Sequence, residues 1–565
     1  MSRVACLLQA EQHPIAGWHT CGVGNKLALS DLRSNWERLR QIQKAFSGLT
    51  MSASSEVSMQ PDGLLGWASR QGCVLGPICI APSGLGDGNG VFATRDIEVG
   101  ELLFAVPTSV QVGIEAALAD ADCGADFKVG VTEGKHLCVL SVFIAKQYLC
   151  RDPVLSEYLD TIGLDTCDSV QFWWEEEVSL LMGTAAYDHA FCVRGEAQEA
   201  VELALSMDSL RKCVQEACGR KSVDERIADC VRAAHFCLLS RVFAMEGESA
   251  GDSRFVPLLD MLQHGDSPSM DYKDEWRDSG FSEPHTVARA TSSISAGQEI
   301  LNSYGEHPYF VFALNFGFMP FTCSEHSAEK AECVLTLASA NSVADQIGEA
   351  GALAAQSKSE EMLEGMLKES MELSSSACAA DADGDVTEFP LPPGHLLELA
   401  QLLAEAAPYA WYPVTFLISN DMIEEGLAAA KAGRTPSSKR VAALIACARL
   451  CALCVSDLQT SQGGSDDLKA QWESAVHQIL HSVDEGFLQE NGKKAAQLLM
   501  ELAQEKLELL EDVEEQIEAL SEEPAFLTRG ACARLAGEAR ASEMHVLRRL
   551  ASADVAHSLF GLQQS

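Results

Sequence analysis

The stretch Gly88-Asn89-Gly90-Val91-Phe92-Ala93-Thr94-Arg95-Asp96-Ile97-Glu98-Val99-Gly100-Glu101-Leu102-Leu103-Phe104-Ala105-Val106-Pro107 carries most of the fold information in this chain. Two short apolar runs, 91–93 and 102–106, are separated by charged residues and glycine. That is the texture of strand, turn and strand. A shorter version returns later. Ala93-Thr94-x-x-Ile97-x-x-Gly100-Glu101 reappears as Ala290-Thr291-x-x-Ile294-x-x-Gly297-Gln298. Between the two copies the period changes. HLCVLSVFIAKQYL from 136 and DERIADCVRAAHFCLLSRVF from 224 place apolar residues at helical spacing. Two hairpin-like units therefore flank a helical insertion, and short strands resume over 254–304.

Working outward, the texture changes again after about residue 320. The last part is rich in Ala, Leu and Glu, and helical periods dominate over 393–408, 438–456, 468–481, 493–520 and 529–552. The acidic, small-residue stretch 372–392 reads as a disordered loop. Residues 1–63 carry no strong period and read as a leader or poorly ordered arm. They lack a basic n-region followed by a long apolar run, so a secretory signal is not supported. The expected fold class is α+β: a β-rich core over 64–320 with a helical insert at about 120–240, then an all-α domain over 321–565.

Composition narrows the function. The 565 residues carry 41 basic and 82 acidic side chains, a formal charge of −41. Phosphate backbones repel such a chain, so no nucleic-acid partner is expected, and the acid excess favours basic partners such as a lysine-bearing protein segment. No run of 18 apolar residues suggests a membrane span, so no membrane partner is expected either. The 20 cysteines are irregularly spaced in Ala/Leu-rich runs, which reads as reduced, largely core thiols in an intracellular protein. Cytosol, nucleus and plastid all remain open, and the chain is expected to be a monomer.

Four constellations could carry chemistry. GLGDGNG at 84–90 is a tight turn or a backbone cradle for a cofactor, and alone it favours the turn. PLLDMLQHGDS at 257–267 sets Asp260 and His264 in an apolar context, either a satisfied buried pair or a site. No metal-spaced ligands accompany them. GQEILNSYGEHPYFVFALNFGF at 297–318 concentrates Tyr304, Tyr309, Phe310, Phe312, Phe316 and Phe318, an aromatic core or an aromatic wall for a cation or aliphatic stem. Cys447, Cys451 and Cys454 sit at helical spacing and read as a core stripe.

Taken in order, these pieces resemble the SET-domain methyltransferases, and more narrowly the plant Rubisco large-subunit lysine methyltransferase type. Gly88 to Ile97 with Gly100-Glu101 and Val106-Pro107 is similar to the family's opening motif. Pro153 to Leu159, and Trp173-Trp174 through Leu181-Met182-Gly183-Thr184, resemble its helical insert, which Ser240-Arg241 closes. Asp260-Met261-Leu262-Gln263-His264 stands where the family has Asp-Met-x-Asn-His. Tyr304-Gly305 with Gly317-Phe318 resembles its Tyr-Gly…Gly-Phe ending. Ala533-Arg534-Leu535 through Glu543 to Leu547 is similar to the terminal helix of its substrate-binding domain. The departures are Gln263 for Asn, and Tyr309 where Asn is usual.

The resemblance implies a pseudoknotted core, S-adenosyl-L-methionine as methyl donor, and a lysine on a non-histone protein as acceptor. It implies Tyr304 as the catalytic residue. It places Gly88, Asn89, Gly90, Phe92, Glu115, Ala116, Ala117, Arg241, Asp260, Met261, Leu262, Gln263, His264, Tyr304, Phe316, Gly317 and Phe318 around the donor, and Phe243, Tyr304 and Phe316 around the acceptor. No Cys-x-Cys-x4-Cys cluster follows Phe318, so no metal is implied. Two other readings stand beside transfer to lysine: a SET-like binding module without turnover, and transfer to histidine.

Overall fold

The structure, a computed structural model, describes residues 61–562 apart from 86–87, 163, 165–168, 219–222, 244–252, 277–279, 282, 306, 320–329, 338–413, 434–435, 439–440, 442–443, 446–447, 450–451, 453–484 and 522–529. The arm at 1–60, the acidic loop at 372–392, the helical periods at 393–408 and 468–481, and Cys447, Cys451 and Cys454 lie outside the described residues. The chain divides into two compact units, Met1–Pro320 with Gln516–Ala539, and Phe321–Glu515 with Arg540–Ser565.

The first unit opens with α1 (Pro61–Arg70), β1 (Val74–Leu75) and the hairpin β2 (Ile78–Pro82) and β3 (Asn89–Ala93). The glycine-rich stretch lies between β2 and β3 and runs into β3 at Asn89-Gly90, and the Ser83 N–H donates to the Gly88 carbonyl at 2.9 Å. β4 (Leu102–Pro107) follows. Leu103, Phe104, Ala105 and Val106 are all buried, so this strand is covered on both faces, and that is why its sequence is continuously apolar rather than alternating.

Next come α2 (Ile114–Leu118), α3 (Gly124–Thr132), α4 (His136–Leu149), α5 (Ser156–Ile162), α6 (Ala185–Ser206), α7 (Asp208–Cys218) and α8 (Val223–Arg241). α4 is buried nearly all round because α6 and α8 both pack on it. The chain then returns to short strands: β5 (Val242–Phe243), β6 (Arg254–Phe255), β7 (Gln263–His264), β8 (Met270–Glu275), β9 (His285–Ala290) and β10 (Leu301–Asn302). One sheet runs β1-β4-β9-β8, all antiparallel, and β7 pairs with β10 in parallel.

The sequence echo has a structural counterpart: its two copies face each other. Ile97 and Ile294 exchange backbone hydrogen bonds at 2.9 and 3.0 Å. The Gly297 N–H donates to the Ala93 carbonyl, and the Gly100 N–H donates to the Ala290 carbonyl. Gly100 and Gly297 take φ of 81° and 78°, a left-handed conformation that the glycine supplies without strain. The last residue of each copy closes its own turn. Glu101 accepts from the Glu98 N–H, and Gln298 accepts from the Ser295 N–H. Motif position, glycine and cap thus repeat as one device.

The second unit pairs β11 (Glu332–Leu337) with β12 (Val414–Ser419) in an antiparallel ribbon, followed by α9 (Asn420–Lys431), α10 (Glu485–Ser521), α11 (Gly530–Leu550) and α12 (Ala553–Leu559). The ribbon is an addition to the helices read from the sequence. On α10, Leu499, Ala503, Leu507, Leu510 and Val513 form the buried stripe, and glutamates fill the solvent face.

Candidate active site

Three segments far apart in sequence meet where β7 lies parallel to β10. The register sets Gln263 against Leu301 and His264 against Asn302, so Tyr304 leaves the strand pair beside the 260–264 turn. The Tyr304 hydroxyl donates to the Leu262 carbonyl at 2.8 Å, and its N–H donates to His264 Nδ1 at 3.1 Å. The hairpin joins on the other side. Gln263 Nε2 donates to the Asn89 carbonyl at 2.9 Å, and the Ile300 N–H donates to the Val91 carbonyl at 2.8 Å. Gly90 has no room for a side chain, since a Cβ there would lie 2.0 Å from the Glu299 carboxylate. Phe92 bridges the same Glu299.

The turn itself is anchored by charge. Arg241, the last residue of α8, donates through Nη1 to the Asp260 carbonyl at 3.0 Å and to its carboxylate at 3.1 Å. Burial raises the Asp260 pKa, and the Arg241 charge opposes that rise. Burial likewise pushes the Arg241 guanidinium down, and Asp260 more than restores it. The Tyr158 hydroxyl on α5 also faces the Asp260 carboxyl, and burial holds its pKa well above the usual tyrosine value. Leu258, just before this turn, is a buried non-glycine residue at φ 69°, a backbone cost that such turns bear where position matters.

An aromatic cluster surrounds the tyrosine. Residues 309–311 form a helical turn that widens into a π-turn over Phe312–Phe316, ended by Gly317 at φ 81°. The π-turn brings Phe312 and Phe316 to 5.5 Å, and Gly317 folds Phe318 back to 5.6 Å from Phe312. Phe316 stacks on Tyr304 at 5.0 Å, and His264 meets Tyr304 at 5.3 Å and Phe312 at 5.1 Å. Tyr309 is wholly buried against Phe310.

Asn89, Gly90, Phe92, Arg241, Asp260, Leu262, Gln263, His264, Tyr304, Phe316, Gly317 and Phe318 thus converge, with Gly88 and Met261 adjoining them in the same segments. Glu115, Ala116 and Ala117 stand apart on α2. That helix follows Val112, which pairs with Phe255, and among the described residues no hydrogen bond or ring contact joins 115–117 to the Tyr304 cluster. Phe243 is buried, with its ring 5.5 Å from Tyr272. Sequence reasoning gave no role to Tyr158 or to His307, whose Nε2 donates to the Tyr304 carbonyl at 3.0 Å and whose ring packs on Phe316. His307 lies three positions after Tyr304, which was its available signal. Among the described residues no group of three or more His, Cys, Asp or Glu could hold a metal, and no helix is long and apolar enough to cross a membrane.

Comparison with known proteins agrees with this architecture. Residues 88–305 match the family model of the SET domain. An Arabidopsis thaliana relative, [fructose-bisphosphate aldolase]-lysine N-methyltransferase, chloroplastic, is 25% identical over 275 residues, which are 47% of this chain and 54% of the relative. The chain therefore aligns with about half the length of that relative. Two solved structures share the fold. The SET domain of LSMT bound to lysine and AdoHcy has a TM-score of 0.54 at 17% identity, covering 88% of this chain and 91% of that one. Rubisco LSMT bound to sinefungin and monomethyllysine has a TM-score of 0.53 at 16% identity, with the same coverage. Strand β3, the 260–264 turn and Tyr304 all fall within the matched span, and residues 88–305 thus form a SET domain in a fold shared with the Rubisco LSMT structures.

Proposed function

We propose that this protein is an S-adenosyl-L-methionine-dependent protein-lysine N-methyltransferase acting on a non-histone protein. The observation that carries the reading is the placement of the Tyr304 hydroxyl. It is fixed on the Leu262 carbonyl inside a ring of Phe316, Phe318 and His264. A phenol that donates to a carbonyl keeps acceptor lone pairs on its oxygen. Such an oxygen orients an amine N–H, and the aromatic faces hold the positive charge that grows on nitrogen. Burial of the amine among these rings lowers its pKa and favours the neutral nucleophile.

The residues present fit the donor. Arg241 uses Nη1 on Asp260, and among the described residues Nε and Nη2 make no hydrogen bond. A guanidinium has five donors, so it suits an added carboxylate such as that of the methionine part. The exposed backbone at Gly88 and Asn89 leaves room for close approach. When bound, the donor supplies an activated methyl group. Tyr304 positions the amine, the aromatic side chains exclude water, and Arg241 with the 260–264 turn holds the donor in line. Alignment of this kind supplies much of the rate.

The charge of −41 suits a basic, lysine-bearing protein surface as acceptor. The aldolase named for the Arabidopsis relative supports a metabolic, non-histone class of substrate, and its chloroplastic placement supports the plastid among the compartments the sequence leaves open.

The test is transfer of label from radioactive S-adenosyl-L-methionine into methyl-depleted lysate, wild type against Tyr304→Phe. A discrete labelled band that fades in the variant and yields methyl-lysine on hydrolysis is expected. Methyl-histidine in that band overturns the lysine reading. Donor binding with no labelled band in lysates from several compartments overturns the enzyme reading in favour of a binding module.

A further inference from the structure

The aromatic cluster owes its shape to an unusual piece of backbone. A π-turn spaces Phe312 and Phe316 differently from an α-helix, and such turns are rare and concentrated at functional sites. Neighbouring residues pack against it. One neighbour lies in the helical insert. His189, in the second turn of α6, places Nε2 2.9 Å from Oδ1 of Asn315, the fourth residue of the π-turn. Asn315 is buried, and the His189 ring also packs edge-on against Phe310 at 5.2 Å, just before the turn begins. The insert therefore touches the π-turn at Asn315, the residue before Phe316, and the helical turn leading into it at Phe310.

We infer that His189 is a positioning residue: its hydrogen bond to Asn315 holds the π-turn in register, and through Phe316 it sets the place of Tyr304. The imidazole works in its neutral form, with Nε2–H donating to the amide oxygen. Burial lowers the His189 pKa and favours that form. Nothing in this chain of contacts requires His189 to approach a substrate. Its effect on rate runs through the 5.0 Å stack of Phe316 on Tyr304.

This inference deepens the methyltransferase reading, and its main readout is independent of it. The chain has eight tyrosines, so fluorotyrosine labelling gives a short fluorine spectrum in which Tyr304→Phe identifies the Tyr304 signal. His189→Leu keeps the volume, removes the donor and adds no ring current, and His189→Gln returns an N–H near the Nε2 position. The Tyr304 signal is expected to shift or broaden in His189→Leu and in Asn315→Leu, and to return to the wild-type position in His189→Gln. In the transfer assay, His189→Leu is expected to lower kcat about tenfold with little change in KM, since misalignment of reacting groups acts on the chemical step. An unmoved Tyr304 signal in both folded leucine variants overturns the proposal. So does equal displacement in His189→Leu and His189→Gln, which marks a packing role only. If the wild type transfers no methyl group, the enzyme reading fails and the fluorine experiment still decides this one.

Discussion

Two ion pairs in the first unit, each with a buried carboxylate, differ in what they leave unused. Lys146, inside α4, donates to both carboxylate oxygens of Asp120 at 2.8 and 2.7 Å and to Asp122 at 3.2 Å. Asp120 also accepts from the backbone N–H groups of Asp122 and Cys123 and from Gln147. Every proton on the ammonium is placed and the carboxylate is surrounded. Arg241 and Asp260 are the contrast: the carboxylate is buried, while the arginine side chain stays about 30% exposed and commits one nitrogen of three. A saturated pair ties elements together. A pair with spare donors at a surface is fit to receive a ligand. The pairs differ in stoichiometry and in the exposure of the cation.

That contrast breaks first at Lys146. Lys146→Met leaves Asp120 buried without its partner, and removal of one member of a buried pair costs about 3–5 kcal/mol. Urea denaturation of the first unit's transition is expected to show that loss, with donor affinity unchanged in the folded variant. Acid acts on the same pair. Burial raises the Asp120 pKa, and the Lys146 hydrogen bonds overcome this and hold it below the usual carboxylate range. Its contribution to stability is therefore complete at neutral pH and is lost as pH falls through that lowered value. Arg241→Lys is expected to behave oppositely. It keeps the charge on Asp260 but loses the planar fork, so S-adenosyl-L-methionine should bind about tenfold more weakly by calorimetry, a change of about 1.4 kcal/mol, with a smaller effect on unfolding. A large stability loss with intact binding would reassign Arg241 to structure.

The sequence showed local texture better than arrangement. Local patterns identified the two strands of 88–107, the helical insert and the aromatic run at 297–318, because each follows from period and composition. They did not identify the pairing, since β3 pairs with β2 and β4 with β1 and β9, so 88–107 is not a hairpin. The parallel pairing of 263–264 with 301–302 left no such trace: two residues per strand are too few for an alternation to be seen. Tyr158 was invisible as a neighbour of Asp260 because about a hundred residues of sequence separate them. The ribbon of β11 and β12 was likewise lost among helical periods, though Cys333, Leu335 and Leu337 alternate inward along β11. The echo is the exception. Its repeated Gly and Glu/Gln positions were legible in sequence, and their facing geometry gives them a reason.

The two copies of the echo repeat the contrast between spent and spare charge at smaller scale. Gly100→Ala and Gly297→Ala each force a Cβ into the left-handed region, where nothing crowds it, so the cost is the backbone term alone, about 1–2 kcal/mol. Equal losses in thermal unfolding are expected from the two sites. Unequal losses would show that the copies are not mechanically equivalent. Gln298→Ala removes one turn cap and should cost about 0.5–1.5 kcal/mol.

The smallest effect separates the copies. Glu101 caps its turn as Gln298 does, and in addition its carboxylate pairs with Arg95 on the surface. Arg95 holds the Glu101 carboxyl below its usual range, yet both side chains meet water. Glu101→Gln converts the first turn into the chemistry of the second: the cap's amide oxygen remains and only the charge is lost. Exposed pairs contribute little and are screened by salt. The variant should therefore lose a little thermal stability at low ionic strength and none near 1 M salt, while Gln298→Ala should lose the same amount at both. A salt-independent loss in Glu101→Gln would mean that the carboxylate, rather than any acceptor, is what the first turn requires, and the two copies would then share a shape without sharing its cause.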